Sequence, residues 1–138
     1  MPTVEFEFVV QGPPFSVNIA KKQPKKHRDW KNTVGNAARS QWAAEERVAR
    51  VPTLLPVEVL ITTFYTTIEI DVDNVIKPIL DALKGIVYAN DSQVYKVTSE
   101  KVKRVDEEAE IEMTNPLLSE AVKKYREFVY IAVVWIEE

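Results

Sequence analysis

The run Phe128-Val-Tyr-Ile-Ala-Val-Val-Trp-Ile136 constrains the fold more than any other stretch of this chain. It is far shorter than the roughly 20 apolar residues that a membrane-spanning helix needs. A strand with one wet face alternates apolar and polar residues, and this run does not. Its residues are mostly β-branched or aromatic, which suits a pleated, packed surface. A buried strand is expected, either in mid-sheet or paired across a dimer.

Three further strands and three helices are expected around it. Residues 3–10 (TVEFEFVV) alternate acidic and apolar before turning apolar, which gives a strand with one wetter face at its start. Gly12-Pro13-Pro14 ends it, because proline has no N–H to donate to a ladder. Residues 57–66 (VEVLITTFYT) and 93–105 (QVYKVTSEKVKRV) read as strands. From Arg28 to about Ala49, Trp30, Val34, Ala38 and Trp42 recur every fourth residue and predict one buried helical stripe. That spacing makes both tryptophans core residues before base-stacking ones, and Tyr95 reads in the same way as a core or sheet residue. A second helix is expected over 74–87, with Asp73 as its cap and Ile76, Leu80, Leu83 and Val87 as its stripe. Asn115-Pro116 opens a third, to about Arg126. These elements describe a single α+β domain over residues 1–138, with one mixed sheet of about four strands packed against two or three helices. Residues 11–27 form a basic loop, and 106–127 an acidic, helix-containing insertion before the last strand.

Composition narrows the class. The chain has 138 residues and no cysteine, so neither a disulfide framework nor a thiolate metal site is available. The start MPTVEFEFVV has no basic segment of the signal-peptide kind. A cytoplasmic protein without a membrane span is expected. The formal charge is −3 overall, but it is divided unevenly. Residues 1–50 carry a net +4 and residues 51–138 a net −7. The basic excess sits in Lys21, Lys22, Lys25, Lys26 and Arg28, with Lys31 close behind, a set suited to neutralising phosphates. His27 stands alone and is a phosphate or solvent contact rather than a metal ligand.

The chemistry concentrates in Asp71-Val72-Asp73-Asn74-Val75-Ile76-Lys77, followed by Asp81 and Asp91. Crowded carboxylates repel one another unless a cation joins them, so the pattern points to a divalent metal. Oxygen donors suit Mg²⁺, with Mn²⁺ as a substitute. Asp71 at a strand end, Asp73 at a helix start and Asp91 after the helix are expected to converge on one ion. Lys77 and Asp81 follow Asp73 on the same helical face, and Asn74 supports a carboxylate or a loop carbonyl. Each residue also has an ordinary reading. Asp73 serves as a helix cap, Lys77 and Asp81 as an exposed i,i+4 pair, and Asp91 as a turn residue.

The string DVDNVIKPILDALKGIVYANDSQV over residues 71–94 resembles the signature of the RusA-type Holliday junction resolvases, endonucleases of bacteria and their phages. The spacing of the three aspartates, the lysine and the trailing Gln-Val all agree with it. Gly12-Pro13-Pro14 with Ser16 and Asn18 is similar to the family's N-terminal segment. The resemblance implies Asp71, Asp73 and Asp91 as Mg²⁺ ligands and catalytic residues, and Lys77 as the catalytic lysine. It also implies a homodimer whose two sites nick opposite strands of branched DNA in recombination and repair. The alternative is a catalytically silent junction-binding or regulatory protein of the same fold, an alternative suggested by the acidic net charge. A calcium loop of the EF-hand type is excluded by the missing Gly-centred pattern.

Overall fold

The computed structural model describes residues 6–12, 24–44, 52–66, 71–104 and 115–136. Strands β1 (Phe6–Gln11), β2 (Val57–Tyr65), β3 (Val94–Lys103) and β4 (Phe128–Trp135) form one sheet in the order β1-β4-β2-β3. Strand β4 is antiparallel to both of its neighbours, while β2 and β3 are parallel. The apolar run thus sits in mid-sheet, with Phe128, Val129 and Ile131 to Val134 all buried. The helices are α1 (Pro24–Ala44), α2 (Ile76–Leu83) and α3 (Pro116–Lys124), so the architecture is α+β as expected.

Alternation assigns the two faces. Phe6, Phe8 and Val10 of β1, Val57, Val59 and Ile61 of β2, and Val129, Ile131 and Val133 of β4 pack under α1 and α2. Trp30, Val34, Ala38 and Trp42 are the buried stripe of α1, as their spacing predicts. At Gly35 the two helices lie close, but a Cβ there would meet Arg39, Ile86 and the Ala82 carbonyl only at ordinary contact distance, so the packing does not require glycine. The opposite face is covered at one end by α3. Ala121 and Val122 pack there on Phe64 and Phe128, whose rings stack with centroids 4.6 Å apart.

One buried cation ties α3 to the sheet. The Arg104 guanidinium donates to the carbonyls of Tyr125 (2.6 Å), Arg126 (2.9 Å) and Val122 (3.4 Å). Those carbonyls lie in and just after the last turn of α3, where the helix leaves acceptors unfilled and favours positive charge. Arg104 also lies 5.9 Å from the centre of the Phe128 ring. The other end of α3 is capped by Asn115, whose side chain accepts from Leu117 N (2.9 Å) and Leu118 N (3.3 Å).

Several expectations change. Residues 24–27 begin α1 rather than ending the basic loop, because Pro24 pre-sets the dihedral of a first helical position and needs no N–H there. The second helix is shorter than 74–87. It begins after Val75, with no side-chain cap from Asp73, and ends at Leu83. Its fully buried row is Val75, Ile79 and Leu83, with Ile76 and Leu80 only partly buried beside it. Pro78 is the third helical residue, where an N–H has no intrahelical partner, so it fits without breaking a bond. Tyr95 is the sheet residue of its two readings and not a core one, since it is 64% exposed on β3. Val57 pairs with Val94 and Glu58 with Lys96, so Tyr95 is the extra residue of a bulge on an edge strand. The expected start of the first strand at 3–5, the end of the first helix at 45–49 and residues 106–114 of the expected 106–127 insertion lie outside the described residues.

Candidate active site

Parallel strands cannot be joined by a hairpin. The connection from β2 to β3 therefore crosses over, and it carries every acidic residue of the motif. It leaves Tyr65, passes through the turn Asp71–Val75 into α2, turns at Gly85 and re-enters the sheet at Val94 after a short 3₁₀ turn, Asp91–Gln93. Gly85 has φ +85°, a left-handed conformation that glycine adopts without a Cβ clash.

The first pair of carboxylates is held from beneath. Val75 is buried and fixes the end of the turn in the core. Asn74 N donates to Asp71 O (3.0 Å), and Ile76 N lies 3.4 Å from Asp73 O. Ser99 on β3 donates its hydroxyl to Val72 O at 2.7 Å and ties the turn to the strand. Asp71, Val72 and Asp73 face solvent, and Asn74 is half-buried.

The second acidic group lies toward the other end of α2. Asp91 pairs with Lys84 at 3.5 Å, and Asp81 with Lys77 at 3.5 Å. The buried Tyr88 phenol donates to the Leu80 carbonyl at 2.5 Å. Its ionisation is pushed well above the usual tyrosine range, first by burial and then by the nearby charges of Asp91 and Asp81.

Gln93 fixes this end. Its side-chain oxygen accepts from Ala89 N (2.9 Å) and Asn90 N (2.8 Å). Its amide nitrogen donates to Thr53 O (2.8 Å) and Leu55 O (2.9 Å). Two acceptor and two donor positions are all used. The glutamine of the motif is thus a brace between the Asp91 turn and the loop before β2.

The three aspartates do not converge within one chain. Among the described residues no group of three or more acidic, histidine or cysteine side chains is gathered as a metal site. Asp71 and Asp73 precede α2, whereas Asp91 meets Lys84 just after it. Lys77 takes Asp81 rather than Asp73 as its ion-pair partner. That pair is worth only a few tenths of a kcal/mol in an exposed i,i+4 arrangement, and the lysine side chain is 74% exposed.

Of the expected DNA contacts, Arg28 is exposed and Lys31 partly so, both on the early turns of α1. Lys25 and Lys26 lie in its first turn, with their side chains outside the described residues, as are Lys21 and Lys22 entirely. Sequence reading missed Lys84, Tyr88, Gln93 and Ser99. The motif string contains the first three, but only the fold shows what they touch.

A family model described as Endodeoxyribonuclease RusA matches residues 16–114, which is more than half of the chain. The chain belongs to the RusA endodeoxyribonuclease family. The matched segment includes α1, β2, the whole crossover and β3, and so all of Asp71, Asp73, Lys77, Asp81 and Asp91. It stops short of α3 and the central strand β4. No individually curated protein matches the chain. No helix among the described residues is long and apolar enough to cross a membrane.

Proposed function

We propose that this RusA-family protein is a Mg²⁺-dependent, structure-selective endonuclease that resolves four-way DNA junctions by paired nicking in recombination and repair. The family match over the crossover carries this reading. The solvent-facing carboxylates on a braced scaffold support it.

The residues fit a hard divalent ion. The candidate donors are carboxylate oxygens, cysteine is absent, and Asp71, Asp73 and Asp91 are exposed enough to leave room for waters and a phosphate. When bound, the ion would offset charge on the phosphodiester and lower the pKa of a water. Asp71 and Asp73 would hold it from one side, and Asp91 would complete the set. Among the described residues no three of these carboxylates are gathered in one chain, and a homodimer in which Asp91 of one copy serves the Asp71–Asp73 pair of the other would complete the set. Lys77 is free to leave its weak pair with Asp81 and donate to a phosphate oxygen as charge develops there. Ser99 and Gln93 hold the two carboxylate-bearing turns in place and take no part in bond breaking.

The basic start of α1 belongs to the DNA-binding surface in this reading. Lys25, Lys26 and Arg28 fall within the first five residues of a helix that has no acidic residue in its first turn. Phosphates would relieve that arrangement. The protein would act in the cytoplasm, where branched DNA of a bacterial or phage genome is found.

The test is cleavage of a synthetic four-way junction, a flap and a linear duplex, each with and without Mg²⁺. Symmetric nicks in the junction alone, only with Mg²⁺ or Mn²⁺, are expected. Equal cutting of linear duplex, or junction binding without nicks in either metal, would overturn the reading.

A further inference from the structure

Strand β3 lies at the sheet edge and carries Lys96, Lys101 and Lys103. Two-residue alternation sorts them. Lys96 lies on the face that pairs with Glu58, at 3.5 Å. Ser99, Lys101 and Lys103 share the opposite face, beside Val97 of the main core. Ser99 is the residue whose hydroxyl holds the Val72 carbonyl, so this face of β3 abuts the Asp71–Asp73 turn. Beyond Ser99 the same row continues with Lys101 opposite Thr63 and Lys103 opposite Tyr65. Lys103 is exposed, and Lys101 is half-buried. Alternate residues on a strand are about 6.8 Å apart, which is comparable to the spacing of successive phosphates on one DNA strand.

We propose that Lys101 and Lys103 form a phosphate track on β3, one that leads a DNA strand to the Asp71–Asp73 turn. The inference rests on the nuclease reading above and adds two contacts that the basic segment 21–31 does not supply. Lysines also protect edge strands from pairing with other chains. That role needs only positive charge anywhere on the edge. The track needs both lysines on the Ser99 face. The track also answers a charge problem. Asp71 and Asp73 repel a phosphate backbone, and cations on the strand beneath them would offset that repulsion locally.

The experiment measures junction binding against salt concentration, in Ca²⁺ to suppress nicking, for the wild type and for Lys101→Gln/Lys103→Gln. Each phosphate contact contributes about 0.9 to the log–log salt slope, so the double variant should lose about 1.8. Lys103→Gln alone should lose about half of that. Lys123→Gln, on α3 at the other face, should change nothing. An unchanged thermal midpoint shows that the fold is intact. If the wild type binds and nicks but the double variant keeps its slope, the track is wrong and the nuclease reading stands. If the wild type neither binds nor nicks a junction, both fall.

Discussion

Single residues at the crossover divide into those that could act on DNA and those that hold them. Gln93 is the clearest of the second kind. Gln93→Ala removes four hydrogen bonds from a half-buried position, two from each of the segments it joins. A stability loss of about 1–3 kcal/mol is expected, because water can reach some of the orphaned groups but not all. Urea unfolding measures it, and nicking by the folded variant should fall as Asp91 loses its fixed position. Tyr88 gives a pH signature. Its phenol is held neutral by burial and by Asp91 and Asp81, so its folded pKa lies above the unfolded one. The stability this contributes is complete below about pH 10, where an unfolded tyrosine is still protonated, and is lost as pH rises above that. Tyr130, half-buried and bonded to Glu7 at 2.7 Å, shifts in the same direction. A spectroscopic titration should show late-ionising phenols that appear only with alkaline unfolding, and Tyr88→Phe should remove one of them.

The elements show how far sequence reaches. The buried run 128–136 became the central part of the sheet because nine uninterrupted apolar residues allow no solvent face. The fourfold spacing of Trp30 to Trp42 located α1, and Asn115-Pro116 located the start of α3, since both signals are local. What was not legible depends on long-range pairing. The bulge that exposes Tyr95 arises from the register between β2 and β3. That Asp71, Asp73 and Asp91 are not gathered into one cluster depends on how the chain runs after α2, which nearness in sequence conceals. Arg104 is another example. It ends a strand and looks like one more surface cation, yet it is buried against the last carbonyls of α3. Arg104→Met keeps much of its volume but leaves those carbonyls without a charged donor. A loss of about 2–3 kcal/mol is expected in urea unfolding, with α3 losing hydrogen-exchange protection before the sheet does.

At the scale of the whole molecule, an acidic chain of net charge −3 has to approach DNA, and the placement of its charges allows this. Cations lie at the start of α1 and on the Ser99 face of β3, while the aspartates lie on the crossover. If two copies share each site, Asp73→Asn and Asp91→Asn variants should complement each other. A mixed dimer keeps one site with both carboxylates and one with neither, so an inactive pair should regain nicking of one strand without paired cleavage. The most direct measurement of the central claim is junction nicking in Mg²⁺ by Asp73→Asn. Asp73 is exposed and its side chain caps nothing, so the fold should survive the change. Nicking should fall by about a hundredfold or more, as loss of a charge-stabilising group does, with junction binding kept or tightened. A variant that binds and nicks at the wild-type rate would contradict it.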